Sequence, residues 1–234
     1  MTDKWDTVVV GGGVAGISAA VHLADAGARV LLVERSAYLG GRASSFLDRQ
    51  FGTLVDVSPH ITLGCCTAFQ ELLERIEVQD KVQYLDTLEF SLPNGTRAGF
   101  RASCLPVPYH LLPALLKFPQ LGLLEKASVA RLMLAAIRWA GETEHADNRA
   151  EELSFADVCK RERVSPRAMQ MLIEPTVISA CNATMDAVDA SYGLMVLWEV
   201  LCRDRFGYRL GIPRVPLASL FTDPTVSHLE ERGS

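Results

Sequence analysis

The sequence predicts an α/β protein in which a parallel sheet at the start of the chain is followed by a mostly helical insert. Three observations support this fold class. A short apolar run ends in a glycine cluster at 11–13. A helical pattern and a second apolar run follow within about 30 residues, and the middle of the chain is rich in leucine at helical spacing. The 234 residues, 49% hydrophobic and 22% charged, have the composition of a folded globular protein.

The first three elements form a predicted βαβ unit. Thr7–Val10 is a strand, because β-branched residues precede three consecutive glycines, and its unbroken apolar character predicts burial on both faces. A helix is expected over 14–26, with Gly27 just after its end, where positive φ is favourable. A second strand over 29–34 completes the unit, whose crossover is right-handed.

The remaining pattern is helical apart from one hairpin. Ser154 and Ser165 are typical N-cap residues. The predicted elements are a helix over 67–76, a hairpin around Pro93-Asn94-Gly95, an amphipathic helix over 125–140 and a long apolar helix from about 186 to 204.

Charge and cysteine usage exclude several classes of protein. The formal net charge is −5 and no Lys/Arg run exceeds two residues, so the chain lacks the basic surface that nucleic acid requires. Six scattered cysteines without a C-x-x-C motif predict no metal site and indicate buried thiols in a reducing compartment. Asp3, Lys4 and Asp6 precede the first strand, unlike a signal peptide. We therefore expect a cytoplasmic protein.

The glycine cluster has the spacing of a dinucleotide-binding turn. Gly11, Gly13 and Gly16 follow the first strand and open the helix. Gly11 permits the tight turn, Gly13 lets a diphosphate approach the backbone, and Gly16 lets the helix pack closely on the strand. Free N–H groups near Val14 and Ala15, at the positive end of the helix dipole, are expected to bind the diphosphate.

Glu34 supplies the second part of this motif, because it ends the second strand 18 residues after Gly16. A carboxylate at that point accepts hydrogen bonds from the ribose of adenosine and repels a 2′-phosphate, which favours FAD or NAD over NADP. The alternative is a tight turn in an α/β domain that binds no ligand.

The residues after the second strand favour FAD. Glu34-Arg35 is followed by Leu39-Gly40-Gly41-Arg42, which resembles the flavin amine oxidase and phytoene desaturase superfamily. In that superfamily the Gly-Gly-Arg turn lies against the flavin side of the cofactor. The resemblance implies that Arg35, Gly40, Gly41 and Arg42 join a Rossmann-like FAD site, with a solvated surface charge as the alternative for Arg42.

A second stretch, 55–67, resembles the squalene-associated FAD-dependent desaturases, also called hydroxysqualene dehydroxylases. Those proteins usually carry Asp-Asn-Gly-x-His before Leu-Gly-Cys. This chain keeps Asp56, His60 and 63–65 but has Val57-Ser58 in place of Asn-Gly. The resemblance implies that His60 lies near the isoalloxazine and assists departure of a hydroxyl, with a structural hydrogen bond as the alternative. Asp56 is interpreted as a local turn or cap residue.

The resemblance implies reductive dehydroxylation of hydroxysqualene, a long apolar isoprenoid, to squalene. Within the superfamily, the alternative is a carotenoid (phytoene-type) desaturase or an amine oxidase. A third hypothesis is a truncated nucleotide-binding fragment that has no catalytic activity. The leucine-rich segment 109–139 predicts an apolar tunnel and peripheral contact with the inner face of a membrane, with ordinary helical core as the alternative.

The resemblance also divides the chain into three parts. Residues 1–80 are expected to form the Rossmann-like FAD-binding portion, 81–212 the mostly helical substrate domain, and 213–234 the start of a return to the cofactor domain. Because proteins of this family are longer, we expect the chain to correspond to their N-terminal part, with a C-terminal half or a partner chain completing the flavin site.

Overall fold

Strands and helices alternate at the start of the chain and helices dominate its middle, which confirms the predicted α/β class. The computed structural model describes residues 4–91, 95–143 and 153–234. The strands are β1 Thr7–Val10, β2 Val30–Val33, β3 Ser45–Asp48, β4 Thr53–Asp56, β5 Thr62–Leu63, β6 Val82–Tyr84, β7 Leu88–Ser91, β8 Arg97–Phe100 and β9 Leu210–Pro213. The α-helices are α1 Val14–Asp25, α2 Thr67–Arg75, α3 Leu112–Lys117, α4 Leu123–Thr143, α5 Phe155–Arg161, α6 Pro166–Ala168, α7 Glu174–Cys181, α8 Ala190–Leu197 and α9 Leu217–Glu230.

The chain folds as two compact units. The first unit contains Met1–Thr62, Cys66–Tyr84 and Leu210–Ser234. The second unit contains Leu63–Cys65 and Leu85–Arg209. Both ends of the described chain therefore belong to the first unit.

The predicted βαβ unit is present in the first unit. β1 and β2 are parallel, in register from Thr7 opposite Val30 to Val10 opposite Val33. Between them α1 buries Ile17 completely, and Gly27 adopts a φ of 87° shortly after the helix ends. The glycine permits this left-handed turn because it has no Cβ. The predicted helix, strand and turn are confirmed.

The prediction that β1 is buried on both faces is wrong. Val8 is 54% exposed and Val10 is 84% exposed, and Val33 on the neighbouring strand is also exposed. In the described part of the chain β1 and β2 form a two-stranded sheet, and α1 packs against one face of it. An apolar run cannot reveal how many layers cover a strand, because both faces carry the same residue type.

An ionic cluster around Asp25 joins three helices of the first unit. Its carboxylate lies 2.7 Å from Arg75 Nη1 on α2, and 2.9 Å from His228 Nε2 on α9. Arg232 Nε, just beyond α9, lies 2.6 Å away. Burial acts to raise the pKa of Asp25, but the hydrogen bonds from Arg75 and His228 and the attraction of nearby positive charge outweigh it, so the pKa lies below its ordinary value.

The second unit begins with the predicted hairpin. β7 and β8 pair antiparallel, from Leu88 opposite Phe100 to Ser91 opposite Arg97. The turn residues Pro93 and Asn94 lie outside the described residues. Phe90, Phe100 and Phe118 form an aromatic cluster with ring centroids 5.5–5.9 Å apart, which fixes the hairpin against the end of α3.

The helices of the second unit follow their sequence signals closely. Ser154 Oγ accepts from the Asp157 N–H at 3.2 Å, and Ser165 Oγ accepts from the Ala168 N–H at 3.1 Å, so both predicted N-caps are confirmed. The amphipathic helix is confirmed and begins two residues earlier than predicted, at Leu123. The predicted long helix starts later, at Ala190, because Asp189 caps it, and it ends in a π-helical turn, Trp198–Cys202.

None of the six cysteines, which all lie within the described residues, forms a disulfide. Burial raises the pKa of Cys159 and of Cys202 to about 12, so these two are protonated at neutral pH. Cys66 and Cys104 are exposed, which contradicts the expectation that all the thiols are buried. No helix among the described residues combines the length and the apolar character needed to cross a bilayer.

The Asp25 cluster generates a stability prediction. Asp25→Ala leaves Arg75, His228 and Arg232 without their shared anion, so the free energy of unfolding at pH 7 should fall by about 2–3 kcal/mol. Because the pKa of Asp25 is lowered by folding, the stabilisation is present above the ordinary pKa of 3.8 and is lost as pH falls further. The difference between wild type and variant should therefore shrink below that pH. Urea denaturation at several pH values measures it.

Glu231→Ala is the matched control, since Glu231 is 75% exposed and lies 3.9 Å from the same Arg232. Its effect should stay within about 0.5 kcal/mol. Equal effects of the two substitutions would contradict the assigned role of Asp25.

Candidate functional site

The glycine turn brings the start of α1 unusually close to the end of β1. The Gly11 N–H donates to the Val33 carbonyl at 2.8 Å, and Gly11 has a φ of 104°. A Cβ added at Gly16 would lie only 1.9 Å from the Gly11 carbonyl oxygen. A glycine at 16 is therefore required for the helix to pack at this distance.

The N-terminus of α1 has the features of an anion site. Its N-cap is Gly13, no side chain caps it, and its first turn contains no acidic residue. A Cβ placed on Gly13 would meet no atom within 4 Å, so the space beside this residue is open. The first N–H groups of a helix lack intrahelical acceptors. Val14 and Ala15 thus offer donors next to an open space, at the positive end of a 12-residue helix.

The Gly-Gly-Arg turn packs directly on the glycine turn. The Gly40 N–H donates to the Gly12 carbonyl at 2.7 Å, and a Cβ at Gly41 would lie 3.1 Å from Gly13 Cα. Gly40 and Gly41 have φ values of 105° and 61°. The structure therefore brings together two motifs that lie 24 or more residues apart in the sequence.

The cationic residues of the candidate site, Arg35 and Arg42, are both exposed. Within the described ranges neither guanidinium forms an ion pair with a carboxylate of the protein. Arg42 directly follows the Gly40-Gly41 turn, whereas Arg35 follows Glu34 at the end of β2.

Glu34 faces the glycine turn and is held there by backbone donors. Its Oε1 accepts from the Ser36 N–H at 2.8 Å and its Oε2 from the Gly12 N–H at 2.7 Å. These two hydrogen bonds lower the pKa of Glu34, so the side chain is ionised at neutral pH. Each carboxylate oxygen can accept a further hydrogen bond.

Gly12 is the residue that the sequence reasoning missed. It anchors Glu34 through its N–H, and a Cβ there would lie 2.5 Å from Leu39 Cδ2 and 3.0 Å from Glu34 Cβ. The dinucleotide spacing requires only Gly11 and Gly13 in this run of three glycines. The additional glycine at position 12 was therefore the signal that could have revealed its role.

Asp56 caps a helix that lies far away in the sequence, and not a local turn or helix as the sequence predicts. Its Oδ1 accepts from the Leu217 N–H at 2.9 Å and from Ser45 Oγ at 2.7 Å. Leu217 begins α9, 161 residues later in the chain. The carboxylate thus satisfies a free donor and complements the positive end of α9.

His60 is half-buried, and its hydrogen bonds are made to Ser58. Nδ1 lies 2.9 Å from the Ser58 carbonyl oxygen and 3.4 Å from Ser58 Oγ. A carbonyl oxygen can only accept, so Nδ1 carries the proton in this contact, and Nε2 of the neutral ring is then an acceptor. No hydrogen bond in the described part of the chain joins His60 to the glycine turn.

A sequence profile described as flavin containing amine oxidoreductase matches residues 14–221. The chain belongs to this family. Membership indicates a flavin cofactor, and the match includes Gly16, Glu34 and the Gly-Gly-Arg turn.

Similar proteins carry names that agree with this family. The chain is 28% identical over 233 residues to a hydroxysqualene dehydroxylase of Zymomonas mobilis, covering 97% of this chain and 51% of that protein. It is 29% identical over 161 residues to a zeta-carotene desaturase of Zea mays, covering 66% of this chain and 28% of that protein. The chain thus spans about half the length of the dehydroxylase and less of the desaturase.

A solved structure shows the same fold. An oxidoreductase from Methanosarcina mazei superposes with a TM-score of 0.61 at 19% identity, covering 97% of this chain and 49% of that chain. The likeness shows that the chain shares the fold of about half of this oxidoreductase.

Two glycine substitutions separate the packing role from the binding role. Gly16→Ala forces a Cβ into the Gly11 carbonyl, so the free energy of unfolding should fall by about 3 kcal/mol. Gly13→Ala meets open space at a φ of −71°, so its effect should stay within about 0.5 kcal/mol. Chemical denaturation of the ligand-free chain measures both. Equal stability of the two variants would contradict the close packing of α1 on β1.

Proposed function

We propose that this chain forms the FAD-binding part of an oxidoreductase that converts hydroxysqualene to squalene. The observation that carries the proposal is the contact between the Gly40-Gly41 turn and the glycine turn, beside an uncapped helix N-terminus. The start of α1 thus offers free N–H donors beside an open space, and the Gly40-Gly41 turn packs against it. The dehydroxylase resemblance along 97% of the chain supports the choice of reaction.

The residues around this space fit an adenine dinucleotide. Gly11, Gly13 and Gly16 shape the turn, and the N–H groups of Val14 and Ala15 would hold the diphosphate. Glu34 would accept hydrogen bonds from the ribose hydroxyls. Gly40, Gly41 and Arg42 would contact the flavin side of the cofactor, and Arg35 would join the site beside Glu34. The side chains of Arg35 and Arg42 would offset the charge of the diphosphate.

Ionised Glu34 selects against a 2′-phosphate. Its two backbone hydrogen bonds fix the carboxylate against the turn and keep its negative charge at neutral pH. A phosphate on the ribose would meet this charge at close range. The site therefore favours FAD over a phosphorylated nicotinamide cofactor.

His60 is the residue that we assign to the departing hydroxyl. Reductive dehydroxylation adds a hydride to an allylic carbon and releases the hydroxyl as water, which requires one proton. Reduced FAD, when bound, supplies the hydride. The bond from Nδ1 to the Ser58 carbonyl orients the ring, and Nε2 can take a proton from solvent and deliver it to the hydroxyl oxygen.

A second candidate function is carotenoid desaturation. The similarity to the zeta-carotene desaturase of Zea mays favours carotenoid desaturation over amine oxidation. The names of both the dehydroxylase and the desaturase specify an isoprenoid substrate. Product analysis after separate incubations with hydroxysqualene, zeta-carotene and a primary amine distinguishes dehydroxylation, desaturation and amine oxidation. Squalene formation alone supports the proposal, and turnover of either other substrate instead would replace it.

Cofactor binding tests the proposed site. FAD added to the purified chain should bind with the visible absorption of a protein-bound flavin. Glu34→Gln should weaken binding by about tenfold or more, because a hydrogen bond to a charged acceptor is lost. Gly13→Ala should weaken it similarly, because the methyl group occupies the space beside the helix N-terminus. Equilibrium dialysis measures the dissociation constants.

Glu231→Gln, an exposed carboxylate change in the same unit, is the control and should bind FAD as wild type does. If Gly13→Ala and Glu34→Gln both retain wild-type affinity, the proposed site is wrong.

Substrate-dependent reoxidation of the reduced flavin tests His60. His60→Gln should slow this step at least about 100-fold, because the proton donor is lost, and leave FAD affinity unchanged. His22→Gln, an exposed histidine on α1, is the matched control and should behave as wild type. A rate for His60→Gln equal to that of the control would remove the proposed role.

A further inference from the structure

The helix α9 packs against the Gly40-Gly41 turn within the first unit. Phe221 on α9 is buried, and a Cβ added at Gly40 would lie only 3.0 Å from Phe221 Cδ2. Leu39, the residue before the turn, is buried in the same hydrophobic cluster as Phe221. The turn assigned to the flavin side of the cofactor is therefore in contact with a helix from the other end of the described chain.

A hydrogen bond also joins α9 to this turn. The Leu39 N–H donates to Thr222 Oγ1 at 3.0 Å, across 183 positions of the sequence. The next amide along the chain, that of Gly40, donates to the Gly12 carbonyl at 2.7 Å. Two consecutive amides are therefore fixed, one on α9 and the other on the glycine turn.

The remaining hydrogen bonds of the turn are local. Ser44 Oγ donates to the Leu39 carbonyl at 2.8 Å, and the Ala43 N–H donates to the Gly40 carbonyl at 3.0 Å. Both bonds lie within residues 39–44, so they shape the turn without placing it in the unit. Thr222 supplies the hydrogen bond that places the turn relative to α9.

The start of α9 is anchored on the hairpin of β3 and β4. Asp56 Oδ1 accepts from the Leu217 N–H and Ser45 Oγ accepts from the Ala218 N–H, each at 2.9 Å. Ser45 Oγ also donates to Asp56 Oδ1 at 2.7 Å. The first N–H groups of a helix lack intrahelical acceptors, and these two side chains supply them. The helix is thus held about one turn before Thr222.

We infer that Thr222 is a positioning residue for the flavin side of the cofactor. It holds Leu39, and through Leu39 the Gly40-Gly41-Arg42 turn, against the glycine turn at the start of α1. The inference rests on the proposed FAD site. Thr222 acts through the backbone of Leu39 and is assigned no contact with the cofactor. Without its hydroxyl the Leu39 N–H loses its acceptor, and the turn is no longer fixed on α9.

Thr222→Val tests this role, because valine is similar in shape to threonine but has no hydrogen-bond acceptor. The affinity for FAD should fall about tenfold, as expected for the loss of one hydrogen bond. The affinity for ADP should fall less than about twofold, since ADP lacks the flavin and depends on the start of α1 and on Glu34. Thr222→Ser restores the acceptor and should bind FAD as wild type does. Equilibrium dialysis measures each dissociation constant.

Thr225→Val is the matched control on the same helix. Thr225 is fully buried, and its Oγ1 has no hydrogen-bond partner among the residues that the structure describes. The same chemical change therefore removes a hydroxyl that holds no other group. This variant should bind FAD and ADP as wild type does, and circular dichroism should show that every variant is folded.

Amide hydrogen exchange in the ligand-free chain tests the positioning without FAD. The Leu39 and Gly40 amides should exchange at least about tenfold faster in Thr222→Val than in wild type or in Thr225→Val, because the turn opens locally. The Gly11 amide, which donates to the Val33 carbonyl, should exchange at the wild-type rate. Faster exchange of all three amides would indicate a general loss of stability instead.

The inference is overturned if Thr222→Val binds FAD as tightly as wild type, or if it loses affinity for FAD and ADP equally. Unchanged exchange of the Leu39 and Gly40 amides would also overturn it. A wild-type chain that does not bind FAD would refute the proposed function and with it any role of Thr222 toward the cofactor. Exchange of Leu39 and Gly40 would still show whether Thr222 holds the turn, so the two failures are distinguishable.

Discussion

The close approach of α1 to the end of β1 is the constraint on which the candidate site depends. It exists because position 16 carries no Cβ, since one would lie 1.9 Å from the Gly11 carbonyl oxygen. The same approach places the uncapped start of α1 beside Gly12 and Gly13, where the Gly40-Gly41 turn also packs. One steric condition thus brings the two sequence motifs together at the start of α1.

The charge distribution around this turn follows from backbone dipoles rather than from buried ions. The start of α1 carries the positive end of a helix dipole, and Arg42 and Arg35 are exposed cations. Glu34 is the fixed negative group, held by the N–H groups of Gly12 and Ser36. A ligand with a diphosphate and ribose hydroxyls complements this arrangement. Its diphosphate can accept hydrogen bonds at the positive start of α1, and its hydroxyls can donate to the carboxylate of Glu34.

The local features of the fold were predictable from the sequence, because they depend on neighbouring residues. The βαβ unit and the caps Ser154 and Ser165 are of this kind. The exposure of Val10 was not predictable, because it depends on which layers cover the sheet. The partner of Asp56, 161 residues away, is a tertiary contact that no spacing rule encodes.

The candidate site was predicted in its parts but not in its assembly. The dinucleotide spacing singled out Gly11, Gly13, Gly16 and Glu34, and family resemblance added the Gly-Gly-Arg turn. The hydrogen bonds that join these parts run through Gly12, whose side-chain-free backbone gives no periodic signal. The leucine-rich segment 109–139 was visible in the sequence, but only the fold separates its exposed leucines, such as Leu123 and Leu124, from buried ones such as Leu132.

A backbone amide NMR titration with ADP, which carries the adenosine and the diphosphate without the flavin, tests the central claim most directly. The account predicts that the amide signals of residues 12–16 and 40–42 shift in a saturable manner, while those of the second unit stay in place. Saturable binding that leaves these amides unchanged, or that shifts a separate set of amides, would contradict a diphosphate site at the start of α1.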